Sequence, residues 1–180
     1  MSQAENMRQT TLILHGSARI EGNTATAVER VVHTMGSGAE VMHLCLLDVR
    51  PYSYAEPPVD DFRHVVDRML THRQIVFATP VYWYAMSGFM KTLFDRFTDL
   101  LRDPESRQLG RSLAGRKAWL LATGTDEELP VGFTEPFSRT CTYLDMHWVR
   151  GFYVRANKNA PLLPKDLAEA ERLARCLSER

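Results

Sequence analysis

The nine residues GSARIEGNT, positions 16–24, hold the chain's densest set of hydrogen-bond donors suited to an anion. Ser17, Asn23 and Thr24 supply neutral donors and Arg19 a cation, while Gly16 and Gly22 allow close backbone approach. A helical pattern begins immediately afterwards, so its free N–H groups and the positive end of its dipole point the same way. Such a loop holds a single phosphate monoester without a metal, because each phosphate oxygen finds a donor. Asn23 or Thr24 could instead serve only as the helix N-cap. Capping leaves Ser17, Arg19 and both glycines unexplained. The loop lacks the Lys-Ser/Thr of a G-x-x-x-x-G-K-[ST] motif and is not a G-x-G-x-x-G dinucleotide fingerprint. It has no cysteine for thiol-phosphatase chemistry, and no acidic pair precedes it as in a phospho-acceptor receiver.

A second unusual stretch is TPVYWYAMSGFMKTLFDR, positions 79–96. Pro80 is expected to end a strand and turn the chain outward. Pro80, Val81, Tyr82, Trp83 and Tyr84 could then lay backbone and aromatic surface along a flat ring, where stacking adds about 0.5–1.5 kcal/mol. Met86, Ser87 and Gly88 lead into the next helix, with Ser87 a candidate N-cap. Trp83 and Tyr84 could also pack on a neighbouring subunit or a local lid, a role compatible with ring binding. A third loop, TGTDEE, offers Thr123, Gly124 and Thr125. Its acidic run Asp126 to Glu128 reads as a solvated loop or a steering charge. His15 and His147 read as structural.

These loops need elements to carry them. Apolar runs at residues 11–16, 39–47, 74–80, 117–124 and 146–156 predict five strands, with Gly151 a candidate bulge. Between them Val28, Val31, Val32 and Met35, then Phe62, Val65, Val66 and Met69, recur at helical spacing. Met90, Leu93, Phe94, Phe97, Leu100 and Leu101 predict one long helix, residues 133–145 another, and Leu163 to Leu177 a closing one. Residues 102–116 read as a polar connection. Alternating strands and helices predict a three-layer α/β/α, doubly wound fold with a five-stranded parallel sheet. Ligands of such sheets bind beyond the carboxyl ends of the strands, where the order reverses. That places the three loops together.

The 180 residues suit a single domain, residues 1–180, with 1–9 a flexible tail. Lys+Arg and Asp+Glu are 22 each, which argues against a nucleic-acid or membrane-surface partner. No apolar run is long enough to span a bilayer. Three separated cysteines, Cys45, Cys141 and Cys176, form no C-x-x-C, so no metal site is expected, and their odd number fits a reducing cytoplasm.

The loops GSARIEGNT and TPVYWYAMSGFMKTLFDR together resemble the NAD(P)H-dependent FMN reductase family, flavodoxin-like flavoproteins that include quinone and azo reductases. The resemblance covers roughly residues 12–124 and lies near the iron–sulfur flavoprotein branch. That branch has a cysteine cluster after the second strand. This chain has LLDVRPYSYAEPPVDD there, with Tyr52 and Tyr54 at a substrate mouth or a subunit contact. The resemblance implies strand order 2-1-3-4-5 and tightly, non-covalently bound FMN. It puts the FMN phosphate on Ser17, Arg19, Asn23 and Thr24. It runs the ribityl chain and ring along Pro80, Val81, Tyr82, Trp83, Tyr84, Met86, Ser87 and Gly88. It sets the pyrimidine side against Thr123, Gly124 and Thr125. It further implies NAD(P)H as co-substrate, a small-molecule acceptor reduced by a ping-pong cycle, and a homodimer or dimer of dimers. Hydride transfer to a flavin needs no side-chain acid or base, so no catalytic residue is assigned. Two rival readings are an electron carrier of the flavodoxin type, which the zero net charge disfavours, and a flavin-free scaffold.

Overall fold

A computed structural model describes residues 11–157 and 160–179. Five strands form a parallel sheet in the order β2-β1-β3-β5-β6. They are β1 (Thr11–His15), β2 (Ala39–His43), β3 (Gln74–Tyr82), β5 (Lys117–Gly124) and β6 (His147–Arg155). The two-residue β4 (Ala85–Met86) folds back antiparallel on the end of β3. With that ribbon set aside, the order is the 2-1-3-4-5 expected from the resemblance.

Helices cover both faces, which is why the inner strands are apolar throughout rather than alternating. On one face Leu12, Leu14, Ile75, Phe77 and Leu120 pack against α2 (Phe62–Thr71), α3 (Gly88–Arg96) and α5 (Glu135–Tyr143). On the other, Ile13, Val76, Ala78, Trp119 and Leu121 meet α1 (Asn23–Met35) and α6 (Ala168–Ser178). Between the layers the buried Gln74 amide accepts from Trp119 Nε1 at 3.2 Å and donates to the Leu177 carbonyl at 2.8 Å.

Five sequence-based expectations are corrected. The second strand ends at His43, and Leu44–Leu46 form a 3-10 turn. β2 pairs with β1 alone, and β1 stops opposite it at His15. Beyond that point the chain has no ladder to join. The polar connection contains a helix, α4 (Pro104–Arg111). Asp103 caps it by accepting from Ser106 N at 2.9 Å, with Pro104 at the first helical position. The long helix expected from Met90 to Leu101 tightens into a 3-10 segment at Phe97–Leu101, where Arg96 bonds Asp99. The bulge of β6 lies at Val149, since Ala118 and Trp119 pair with Trp148 and Arg150. Gly151 instead admits the Leu120 and Thr134 side chains, each within 3.3 Å of where a Cβ would stand.

The fifth correction shapes the site. Pro80 neither ends β3 nor turns it outward; the strand runs on to Tyr82. Gly16 N bonds the Ala78 carbonyl at 2.8 Å, so Ala78 faces β1, as does residue 80 two positions on. Strand β1 has ended there, so the N–H that proline lacks removes only a bond to the Gly16 carbonyl. The Ser87 hydroxyl donates to that carbonyl in its place.

Candidate functional site

At the carboxyl ends of β1, β3 and β5 lies a cleft of about 260 Å³. Ser17, Arg19, Gly22, Asn23 and Thr24 form one wall. Pro80, Val81 and Tyr82 form a second, and Thr123, Gly124 and Thr125 a third, with Ala156 and Asn157 at its edge. Ten of the fifteen residues expected at the cofactor therefore meet around one opening, and five do not. Trp83 and Tyr84 stand at the tip of the β3–β4 hairpin, 94% and 71% exposed. Met86 and Ser87 are buried beneath it, and Gly88 begins α3.

The first wall is the start of α1. Its cap is Gly22, at φ 142°, which has no side chain to accept from the first amides of α1, while its carbonyl accepts from the Thr26 hydroxyl at 3.1 Å. Asn23 and Thr24 are the first helical residues rather than caps, so the first amides of α1 face the cleft without a side-chain acceptor. A Cβ on Gly22 would stand 3.5 Å from the Arg19 guanidinium, an ordinary contact, so it is the positive φ rather than crowding that calls for glycine at the helix start. Ser17 Oγ accepts from Arg19 N at 3.2 Å and so shapes the loop between them. The Thr24 and Thr123 hydroxyls meet at 2.6 Å in a buried bond that ties α1 to the end of β5.

The second wall is rigid at its base. Ser87 caps α3 by accepting from Met90 N at 3.2 Å, its own amide donates to Thr79 Oγ1 at 3.1 Å, and its hydroxyl serves Gly16. With those partners, Ser87 links β1, β3 and α3 behind the cleft. In the third wall, Gly124 is packed from beneath by Tyr153, whose hydroxyl donates to the Asp126 carbonyl at 2.9 Å. Burial, then the Asp126 carboxylate, raises the Tyr153 phenol above its ordinary value. Asp126 thus helps hold the loop, and Glu127 lies 3.9 Å from Arg155.

His15 is fully buried one residue before the loop, with Nδ1 2.9 Å from His43 Nδ1. Burial, then the neighbouring His43, holds its pKa down to about 4, so it is neutral at pH 7. His147 lies at the opposite end of the sheet, paired with Lys117 at the start of β5. The Cys141 thiol is pushed up to about 12 by burial. Among the described residues, no group of three or more His, Cys, Asp and Glu could hold a metal ion.

The loop after β2 is held by an ion-pair network that spacing alone did not reveal. Arg96, 2% exposed, bonds Asp60, Asp99 and the Arg50 carbonyl, and its guanidinium lies 4.6 Å from the Phe62 ring centre. Burial alone would raise the Asp60 carboxyl, but hydrogen bonds from Arg96 and from the Arg50 and Phe62 amides bring it below its ordinary value. Arg102 bonds Asp99 and the Ser53 and Ala55 carbonyls and lies over the Tyr52 ring. Tyr52 in turn meets Tyr54 edge to face at 5.3 Å. The available signal was the pair Arg96 and Asp99, three apart on one helix face. Tyr153, Ala156 and Asn157 were missed because they come from a strand end with no loop motif.

The family model described as NADPH-dependent FMN reductase matches residues 10–160. A protein of Bacillus subtilis (strain 168), YwqN, named as an NAD(P)H-dependent FMN-containing oxidoreductase, is 31% identical over 121 residues. The aligned part is 63% of this chain and spans only 66% of that relative's length. The solved structure of the Trp repressor binding protein from Bacillus subtilis superposes with a TM-score of 0.73 at 25% identity, covering 91% of this chain and 97% of that one. A flavodoxin, WrbA-like protein from Agrobacterium tumefaciens superposes with a TM-score of 0.64 at 12% identity over 94% of each chain, a likeness of fold. The fold is flavodoxin-like, and with residues 10–160 of 180 inside the family match, the chain belongs to the NADPH-dependent FMN reductase family.

Proposed function

We propose that this chain is an FMN-dependent NAD(P)H oxidoreductase that passes two electrons to a quinone, azo compound, flavin or similar small acceptor in a ping-pong cycle. One observation carries the reading. The uncapped start of α1, with Ser17, Arg19 and Asn23, shares one cleft with the ends of β3 and β5. That donor set suits a phosphate monoester. The phosphate would sit on the α1 amides, Ser17, Arg19, Asn23 and Thr24. The sugar chain and ring would follow Pro80, Val81 and Tyr82 toward Thr123, Gly124 and Thr125. At about 260 Å³ the cleft is smaller than the ~300–1,000 Å³ that encloses a drug-sized ligand, so part of the bound cofactor would extend beyond it.

Bound FMN would supply the redox chemistry, the overall reaction with a quinone being NAD(P)H + H⁺ + quinone → NAD(P)⁺ + hydroquinone. The chain's own residues bind and orient. Thr24 and Thr123 hold the two walls at a fixed spacing, and Tyr153 fixes the height of the Gly124 strand end. His15 stays neutral at pH 7 and would leave the local charge at the phosphate to Arg19 and the helix dipole.

Purified protein should be yellow and release FMN on denaturation, and NAD(P)H oxidation should accelerate with quinones. Arg19→Ala should weaken FMN binding about tenfold, as expected for one exposed charge-assisted hydrogen-bonding group. Flavin binding without NAD(P)H oxidation by any acceptor would replace this reading with that of an electron carrier. Unchanged FMN affinity in the Arg19 variant would move the phosphate elsewhere.

A further inference from the structure

At the amino end of the sheet, opposite the cofactor cleft, positive charge gathers without a counter-ion. Strands β3 and β5 begin side by side, with Gln74 paired to Lys117. One position earlier on the same two chains stand Arg73 and Arg116. Lys117 N donates to the Arg73 carbonyl at 2.9 Å, which holds the two strand starts together. Neighbouring strands lie about 4.7–4.9 Å apart, so three cations crowd one edge, where like charges repel. Arg73 and Lys117 are exposed, and among the described residues neither side chain has a hydrogen bond or an ion pair. The formal net charge of the chain is zero, so the surplus is local.

Arg116 is half-buried. Its Nε donates to the Met69 carbonyl at 2.9 Å, and its terminal nitrogens donate to the Leu70 and Ser112 carbonyls. Two of these bonds cap the end of α2 and account for the position of the guanidinium. All three go to neutral acceptors, and they use three of the five N–H donors of an arginine. Burial, with no carboxylate to offset it, holds the Arg116 pKa below its ordinary value. Glu40, which approaches His72 to 3.4 Å, is already bonded through both oxygens by Arg68. Capping of α2 leaves Arg73 and Lys117 unexplained.

Beside these side chains lies a cavity of about 400 Å³, lined by residues 72–74 and 114–117, none of them acidic. The turn at Gly115, φ 76°, leaves room on this side, because a Cβ there would meet nothing within 4 Å. Such a volume falls in the ~300–1,000 Å³ range of small-molecule sites. Pro80, on the cofactor cleft, is six residues along β3 from Gln74, or about 20 Å at ~3.3 Å per residue. A ligand at this edge is therefore separate from the flavin. A phosphate monoester carries about −1.5 to −2 at pH 7, short of three cations. A diphosphate carries more charge and offers more oxygens to the two unused guanidinium donors of Arg116.

We infer that Arg73, Arg116 and Lys117 form a second anion site, which takes a diphosphate group, free or carried on a small organic molecule, at the end of the sheet remote from the cofactor. The test uses FMN-saturated protein, whose phosphate loop is occupied. Pyrophosphate and ADP, with ionic strength held constant by sodium chloride, should each raise Tm to saturation, since a ligand of the folded state stabilises it. Calorimetry gives both affinities, and the tighter probe tells whether the group is taken free or on a nucleotide. Arg73→Ala with Lys117→Ala, both at exposed positions, should weaken binding of the tighter probe at least tenfold, as expected for two charge-assisted contacts. FMN affinity and NAD(P)H oxidation should not change in that variant. Arg19→Ala should do the reverse, weakening FMN and leaving the probe unaffected. That comparison separates the two anion sites whether or not the protein holds FMN, so a failure here and a failure of the proposed function are told apart. A rise in Tm that sodium sulfate reproduces at the same ionic strength would mean charge screening alone and would overturn the inference. So would unchanged probe affinity in the double variant, or its loss in Arg19→Ala, which would place the anion on the phosphate loop.

Discussion

Replacing Gly124 with alanine would put a methyl group 2.8 Å from the Tyr153 hydroxyl, 3.2 Å from Tyr153 Cε2 and 3.2 Å from Val81 Cβ. Carbon atoms rest comfortably at about 3.5–4.0 Å, so all three neighbours would have to move. None moves freely. Val81 belongs to β3, and the Tyr153 hydroxyl is held by the Asp126 carbonyl at 2.9 Å. Overpacking of this kind costs about 1–3 kcal/mol. For a chain of this size ~2 kcal/mol corresponds to a fall in Tm of roughly 4–8 °C. The same methyl group would push apart Val81 and Gly124, which line adjoining walls of the cleft, so FMN affinity should fall too. A double-mutant cycle isolates the clash. Tyr153→Phe alone should cost about 0.5–1.5 kcal/mol through its lost hydrogen bond. In the Gly124→Ala background it removes the atom at 2.8 Å and should restore part of the stability. Urea denaturation of the four proteins measures the coupling. A Gly124→Ala protein as stable as wild type, or strictly additive losses, would refute the crowding argument.

Three further outcomes are expected. His15 is held near 4 in the folded chain, below its ordinary value of 6.5, so folding stability is complete above pH 6.5 and is lost as pH falls from there toward 4. The loss should approach about 3 kcal/mol by urea denaturation, and His15→Asn should flatten that limb. Arg96→Met should destabilise by about 3–5 kcal/mol, because it leaves the Asp60 carboxylate, 1% exposed, with amide donors but no cation, and leaves Asp99 to Arg102 alone. In the same variant, proteolysis within residues 48–61 should accelerate, since the loop loses its bond to Arg96 through the Arg50 carbonyl.

Much of the architecture was legible because helices and strands here repeat their apolar residues at 3.6 and at short continuous spacing. The covered strands β1, β3 and β5 are apolar on both faces, and Met90, Leu93 and Phe94 mark α3 by spacing alone. Errors came where neighbours decide. Leu44 to Leu47 are apolar enough for a strand but have no ladder to extend. Pro80 reads as a terminator, yet its missing donor faces the place where β1 has stopped. The cap of α4 was visible in Asp103-Pro104 and was outweighed by the polar character of the segment.

The grouping of Ser17, Arg19, Asn23 and Thr24 along one wall could be read from one short segment because these residues fall within eight positions, and chain order already brings them together. The same holds for Ser87 as the cap of α3. The division of the aromatic run could not be read so. Tyr82, Trp83 and Tyr84 are neighbours in sequence, but a hairpin reversal puts Tyr82 on the cleft wall and sends the next two to the tip. That reversal depends on β4 pairing with β3. The seating of Gly124 on Tyr153, and of the β2–α2 loop on Arg96, likewise joins residues from separate strands and helices. Local spacing records periodicity and local donors. Which side chain meets which partner across the sheet is decided only when the layers pack.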